Sequence, residues 1–334
     1  MAESSLNQSA GAHVAILDED EQGGRPVALA YRALNLGDLL TAVPALRGLR
    51  RALPRHRLVL ATKPGLRPLI PLIGAVDELL PADELCPLRW PWPGPDVAVD
   101  LHGRGPESHR VLLGIEPRRL VAFAAPEVAV EGPPWRPGEH EVRRWCRLVE
   151  WAWPGSAFTH DLALLRPATP AAVPGAVIVH PGAAAPARRW PVERFAEVAR
   201  FLARTGRPVL ITGSAAEVEL AEAVRAAADL PRSAVLAGAT SLDELAALVA
   251  DARLLVSNDT GVAHVATAFR TPSVVLFGPT SAAEWGPPPS DRHIALGDGG
   301  GGDPHGTVLD PALARIQVDD VVAAAEALLR CSGG

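Results

Sequence analysis

The chain has 334 residues and almost no lysine: Lys63 is the only one, although Lys and Arg together number 32. Arginine therefore carries nearly all the positive charge. Alanine and proline are also abundant, a bias of GC-rich genomes. An arginine here points to function only where its position adds something. Cysteine is scarce as well. Cys86, Cys146 and Cys331 lie far apart and share no metal-ligand spacing, so reduced thiols in a cytoplasmic protein are expected. A basic surplus is missing too. The net charge of -6 argues against a nucleic-acid partner. No run approaches ~18 uninterrupted apolar residues, so no spanning helix is expected. Residues 1–24 are polar and acidic, without a basic n-region or a long apolar stretch. They are expected to form a disordered tail rather than a signal peptide.

Several catalytic signatures are also missing. No Gly-Lys-Ser/Thr phosphate loop is found, and no Gly-x-Ser-x-Gly elbow. Gly103-Arg104-Gly105-Pro106-Glu107-Ser108 is only a partial match to a dinucleotide fingerprint. The ten histidines are dispersed, so neither a metal nor another cofactor is expected. Kinase, hydrolase and dehydrogenase readings lose their usual chemistry.

What is present is a globular balance, with 48% hydrophobic and 21% charged residues over a length suited to two domains. Strand, short loop and helix recur, which indicates α/β layers. In the first half, residues 27–32, 57–62, 78–81 and 96–101 read as strands. A helix is predicted over 38–53, from the spacing of Leu39, Leu40, Val43, Leu46, Leu49 and Leu53. Short and long helices follow at 67–73 and 140–153. The pattern restarts with strands at 176–180, 208–212, 235–237, 253–257 and 273–277. Among its helices, one opens at Trp190-Pro191-Val192-Glu193, and one over 241–251 has Ser241 as cap with Glu244 three residues on. A terminal helix spans 318–330. We divide the chain into a tail (1–24), a first domain (25–165), a linker (166–174), a second domain (175–315) and a C-terminal helix segment (316–334), with the helix expected to reach back to the first domain. Two doubly wound sheets facing one another would place ligands at the carboxyl ends of their strands.

Four constellations fall at such ends. Ser257-Asn258-Asp259-Thr260-Gly261-Val262-Ala263-His264 runs from a strand into a helix whose first N–H groups have no internal partner, an arrangement that suits an anion. Asp259 fits a helix cap or the binding of sugar hydroxyls, and by itself the segment fits a plain cap equally well. His180-Pro181-Gly182-Ala183-Ala184-Ala185-Pro186-Ala187-Arg188-Arg189-Trp190 has room at Gly182 and two arginines able to clamp phosphate. A solvated basic turn is its plainer explanation. Asn35-Leu36-Gly37-Asp38 offers Asp38 as a general base, or simply as an acid at its own helix start. Lys63, Arg67, His102 and Arg104 are candidates for an anionic acceptor, or scattered surface charge.

Taken in order along residues 27–330, these segments resemble the ADP-heptose:lipopolysaccharide heptosyltransferases. The resemblance is carried by Gly37-Asp38 with Pro44-Ala45-Leu46, and by Val99-Asp100-Leu101-His102-Gly103. It continues through His180-Pro181-Gly182 with Arg189-Trp190-Pro191, Asn258-Asp259-Thr260-Gly261 with His264, and Ile316-Gln317-Val318. It implies a GT-B fold, two Rossmann-like doubly wound domains facing a central cleft. It also implies an inverting transfer that needs no metal, with Asp38 as base. Donor contacts would come from Arg188, Asp259, Thr260, Gly261 and His264, beside the loop of Gly182, Ala183 and Ala184. Two departures stand out. Arginine replaces the usual lysine at 188, and alanines at 183 and 184 replace hydroxyl residues. The partners implied are a nucleotide-sugar donor, ADP-heptose first, and a glycan or natural-product acceptor. A peripheral membrane contact is expected if that acceptor is lipid-linked. A sugar-nucleotide epimerase of the same plan and a non-catalytic nucleotide- or glycan-binding homologue are the alternatives.

Overall fold

The computed structural model describes residues 24–331. Except for Gly24, the tail expected over 1–24 lies outside the described residues. Two five-stranded sheets organise the rest, and every strand pairing within them is parallel. The first holds β1 (Val27–Tyr31), β2 (Arg57–Thr62), β3 (Glu78–Pro81), β4 (Val97–Asp100) and β5 (Leu120–Val121), in the order β3-β2-β1-β4-β5. The second holds β6 (Val177–His180), β7 (Val209–Ile211), β8 (Leu254–Asn258), β9 (Ser273–Leu276) and β10 (His293–Leu296), in the order β10-β9-β8-β6-β7. The central strands are continuous apolar runs. Ala28 to Tyr31 and Leu254 to Val256 are fully buried, as parallel strands covered on both faces must be. The strand order reverses between β1 and β4, and again between β6 and β8. Ligand crevices open beyond the carboxyl ends of strands at such points.

Most predicted elements are found within a residue or two. The differences have local causes. The helix over 38–53 is two helices, Leu36–Thr41 and Val43–Ala52, with Pro44 in the first turn of the second. Proline has no N–H to donate, and its ring would clash with the carbonyl four residues back. The strand at 235–237 is reduced to an isolated bridge from Val235 to Ile211. β5, with two residues, and β10, whose outer edge is half-exposed, carry too little pattern to be predicted. The short helices Glu107–Leu113 and Pro311–Arg315 also carry too little pattern to be predicted.

The C-terminal helix, Val318–Cys331, corrects an expectation. It packs on β8, β9, β10 and the helix Val192–Ala203, all in the second domain, rather than on the first. Its buried positions Val321, Ala324, Ala325 and Leu328 form one stripe at helical spacing, and that stripe joins the second core. Each fully buried Leu or Val there contributes about 1.5–3 kcal/mol of transfer free energy, so the helix is fixed by apolar contact on that one side.

The domains meet along a pair of packed helices. Leu36–Thr41 lies against Gly261–Phe269, and Leu39, Leu40, Val262, Val265 and Ala266 belong to one continuous core. Glycines set the approach. A methyl group on Gly37 would stand 2.9 Å from Cδ2 of His264, and one on Gly261 would stand 2.9 Å from Cβ of Leu36. The linker over 166–174 runs beside the helix Leu242–Ala250, where Arg166 donates to the carbonyl of Ala250.

Candidate active site

A cleft of about 710 Å³ lies between the carboxyl ends of the two sheets. Asn35, Leu36, Gly37 and Asp38 line it from the first domain, and Arg188, Asp259, Thr260, Gly261 and His264 from the second. Five of the eight donor candidates and the candidate base therefore share one space. Ala184, exposed at the rim, is a sixth.

Asp38 sits in the first turn of Leu36–Thr41. Its Oδ2 accepts the N–H of Asn35 at 3.1 Å, and its Oδ1 lies 3.6 Å from Nη2 of Arg32. The carboxylate is thus bonded at its own helix start while remaining partly open to the cleft, with 21% of the side chain exposed. The helix-start explanation of this residue is met, and its carboxylate lies on the cleft wall.

The second domain answers the question posed at Asp259. Its carboxylate does not cap the helix. Oδ2 accepts from Nη2 of Arg188 at 2.9 Å and from Oγ1 of Thr280 at 2.5 Å. Thr280, also on the cleft wall, went unnoticed in the sequence because nothing local marks it. Thr260 occupies the cap position with extended backbone, and its hydroxyl makes no capping bond. The start of the nine-residue helix Gly261–Phe269 consequently faces the cleft with no side-chain cap. Anions there gain about 0.3–1 kcal/mol from the helix dipole, rising to ~2 when partly buried. A hydrogen bond to a charged group is worth about 1.5–3 kcal/mol, and Arg188, whose Nη2 is paired with Asp259, lies on the wall of the same space.

Asn258 holds the loop of Gly182 to the end of β8. Its Oδ1 accepts the N–H of Trp190 at 3.1 Å, and its Nδ2 donates to the carbonyl of Pro181 at 2.8 Å. Trp190 is buried, stands edge-on to Phe195, and donates through Nε1 to the carbonyl of Ile316. This anchors the segment that carries Arg188. Arg189 is placed differently. Its Nε braces the carbonyl of Ala183 at 3.0 Å, and the residue is absent from the cleft wall. The space at Gly182 is also used internally, since the carboxylate of Glu217 packs where a side chain would stand. Ala183 is buried, so of the two alanines only Ala184 reaches the cleft.

Histidines around the cleft are held neutral. Burial lowers His264 below the usual histidine range, against the opposing pull of Asp259 and Asp38. Burial likewise brings His180 down to about 4, and its Nδ1 lies 2.9 Å from Oγ1 of Thr212. His140, also lowered by burial, joins the two domains. Its Nδ1 accepts the N–H of Val142, so Nε2 carries the proton and donates to the carbonyl of Gly286 at 2.9 Å.

The acceptor candidates are less concentrated. None of Lys63, Arg67, His102 and Arg104 lines the cleft. Lys63 comes nearest, donating to Oδ1 of Asn35 at 2.9 Å. Arg67 and Arg104 are exposed. His102 is buried and stacked on Tyr31 at 4.6 Å, with its imidazole brought down to about 4 by burial and by Arg32. It packs behind the site rather than presenting itself to a ligand. Among the described residues, no group of three or more His, Cys, Asp or Glu is placed to hold a metal ion, and no helix is long and apolar enough to cross a membrane.

Two parallel, doubly wound sheets with a cleft between their carboxyl ends define the GT-B plan of sugar-transferring enzymes. The relatives make the class specific. Residues 133–300 match glycosyltransferase family 9 (heptosyltransferase). Lipopolysaccharide heptosyltransferase 2 of Escherichia coli K12 is 40% identical over 110 residues, a stretch covering 32% of this chain and 31% of that protein. A glycosyl transferase family 9 structure from Veillonella parvula superposes with a TM-score of 0.74 at 20% identity, covering 92% of this chain and 98% of that one. The ADP-heptose lps heptosyltransferase II of E. coli gives 0.73 at 21% identity, covering 92% of this chain and 100% of that one. The chain belongs to glycosyltransferase family 9.

Proposed function

We propose that this chain transfers a sugar, heptose first, from ADP-heptose to a hydroxyl of a glycan or natural-product acceptor, inverting the anomeric centre. The observation that carries the reading is the shared cleft. Asp38 and the uncapped start of Gly261–Phe269 with Arg188 face one space from opposite domains. The E. coli relative of the same fold is named for ADP-heptose, which supports that donor.

In this reading Asp38 takes the proton from the acceptor hydroxyl. The freed oxygen attacks the anomeric carbon from the face opposite the diphosphate. The bond from that carbon to the diphosphate oxygen breaks, and the new negative charge is met by the N–H groups at Thr260 and Gly261 and by Arg188. These groups are assigned the charge without a resident metal ion. A dry cleft limits hydrolysis of the donor. The enzyme would act in the cytoplasm, touching the membrane surface when its acceptor is lipid-linked.

The test is a thermal-shift and calorimetric screen against ADP-, GDP-, UDP- and dTDP-sugars, followed by transfer assays with the donor that binds. A ligand specific to the native state raises stability by mass action, about 2.7 kcal/mol at a hundred times Kd. ADP-heptose is expected to give the largest shift. No response to any sugar nucleotide refutes the reading. Isomerisation of the donor without acceptor would favour an epimerase, and binding without turnover a non-catalytic homologue.

A further inference from the structure

Behind Asp38 lies an arginine that the cleft does not expose. Arg32 follows β1, and only 1% of its side chain reaches solvent. Burying a guanidinium this deeply is costly unless each of its donors is met. Nε donates to the carbonyl of Asp38, Nη1 to the carbonyl of Leu101, and Nη2 to Oγ1 of Thr41 and Oε2 of Glu141, both at 3.3 Å. The plane of the group lies over the Trp145 ring, 4.5 Å from its centroid. Burial brings Arg32 down to about 10, with Asp38 and Asp100 opposing the shift, so it remains a cation at neutral pH.

The charges around it are paired in a telling way. Glu141 is shared between Arg32 and Arg144, and its Oε2 also receives Nε1 of Trp145 at 2.8 Å. One carboxylate therefore faces two guanidinium groups. The second carboxylate in reach of Arg32 is Asp38, at 3.6 Å. Asp38 in its carboxylate form thus gives Arg32 a partner beside Glu141, which it must share with Arg144. Geometry agrees with charge. Oδ2 of Asp38 is held by the N–H of Asn35, Oδ1 faces Arg32, and the backbone carbonyl of the same residue is gripped by Nε. Side chain and main chain are fixed together.

We propose that Arg32 is the positioning residue for Asp38, holding its carboxylate toward the acceptor from inside the protein, with Glu141 as its rear anchor. This rests on the reading of Asp38 as the base. Arg32 does not line the cleft. Its removal should change how fast bound substrates react rather than how well the donor binds. A misplacement of about 1 Å at a reacting group costs roughly a hundredfold.

The experiment compares the full-length wild type with Arg32→Met, Arg32→Lys, Glu141→Gln and Asp38→Asn in the transfer assay, with donor KM and thermal midpoint measured for each. Arg32→Met is expected to lower kcat about tenfold to a hundredfold with donor KM within about twofold. Arg32→Lys should recover part of the loss, because it returns the charge but not the fork. Glu141→Gln should lower kcat severalfold, again at constant KM. If Arg32→Met does not fold, Arg32→Lys and Glu141→Gln decide. A folded variant set with wild-type kcat overturns the proposal, as does a loss that appears in KM alone. The two ideas fail separately. A wild type that transfers from no donor, or an Asp38→Asn variant that transfers normally, sinks the functional reading itself. An inactive Asp38→Asn beside fully active Arg32 and Glu141 variants sinks only the role of Arg32.

Discussion

Two helices begin at the cleft, and each follows a strand that borders the switch point of its own sheet. They end up doing opposite things. Leu36–Thr41 is closed at its start, where Asp38 accepts the N–H of Asn35. Gly261–Phe269 is open at its start, because Thr260 leaves its cap bond unmade and Asp259 is drawn aside by Arg188 and Thr280. A closed start spends its dipole on holding one carboxylate still. An open start leaves its N–H groups for an incoming anion. The same strand-to-helix turn thus yields a tethered carboxylate on one wall and an uncapped helix start on the other.

The comparison is broken most directly at Asp38. Asp38→Asn is expected to cut transfer by at least about a hundredfold while leaving donor affinity intact, measured by steady-state rates beside calorimetry. The open helix start is probed at Arg188. Arg188→Ala removes the cation and leaves Asp259 with Thr280 alone, so donor Kd should weaken by about tenfold or more, with Arg188→Lys milder. An unchanged Kd in Arg188→Ala would place the diphosphate elsewhere.

Next comes the contact between the two helices. Gly261→Ala forces a methyl to within 2.9 Å of Leu36, and overpacking of this kind costs about 1–3 kcal/mol. The thermal midpoint should fall by several degrees, and the donor should bind less tightly because its cradle shifts. A variant as stable as the wild type would mean that the domains part more easily than the packing implies.

The last test concerns acid. His102, His180 and His293 are each brought by burial to about 4, against a usual value of 6.5. Their native state takes up protons less readily than the unfolded chain, so stability is lost as pH falls from about 6.5 toward 4. Asp100 runs the other way. Burial raises it from 3.8 to about 6, so it favours the native state on acidification over the same window. His109, His140 and His264 are lowered by burial as well, so the histidines outweigh Asp100 and the thermal midpoint should be lower at pH 4.5 than at pH 7. A midpoint that rises on acidification would contradict the buried neutral histidines.

Much of the architecture could be read from the chain because the parallel strands are unbroken apolar runs and the loops after them are short. Asp38, Arg188 and the segment from Asp259 to His264 were visible for the same reason: each lies in the segment that follows a strand's carboxyl end. What stayed hidden depends on contacts distant in sequence. Arg32 looks like the polar end of a strand, and only its position 109 residues from Glu141 reveals a buried hub. Thr280 meets Asp259 across 21 residues, and Glu217 fills the space beside Gly182, so neither leaves a local mark. Arg189 misled because adjacent arginines look alike in a sequence, whereas the backbone turns one toward the cleft and the other toward Ala183. The terminal helix was misassigned because its apolar stripe records that it packs, not on which domain.

Asn258 has a further consequence, one of ageing. Its buried amide donates at one end to the carbonyls of Pro181 and Gly182 and accepts at the other from Trp190. Hydrolysis of that amide to a carboxylate would set an acceptor against two carbonyls that need a donor, and would place a new negative charge beside Asp259. The loop carrying Arg188 would lose its staple through a change of one dalton.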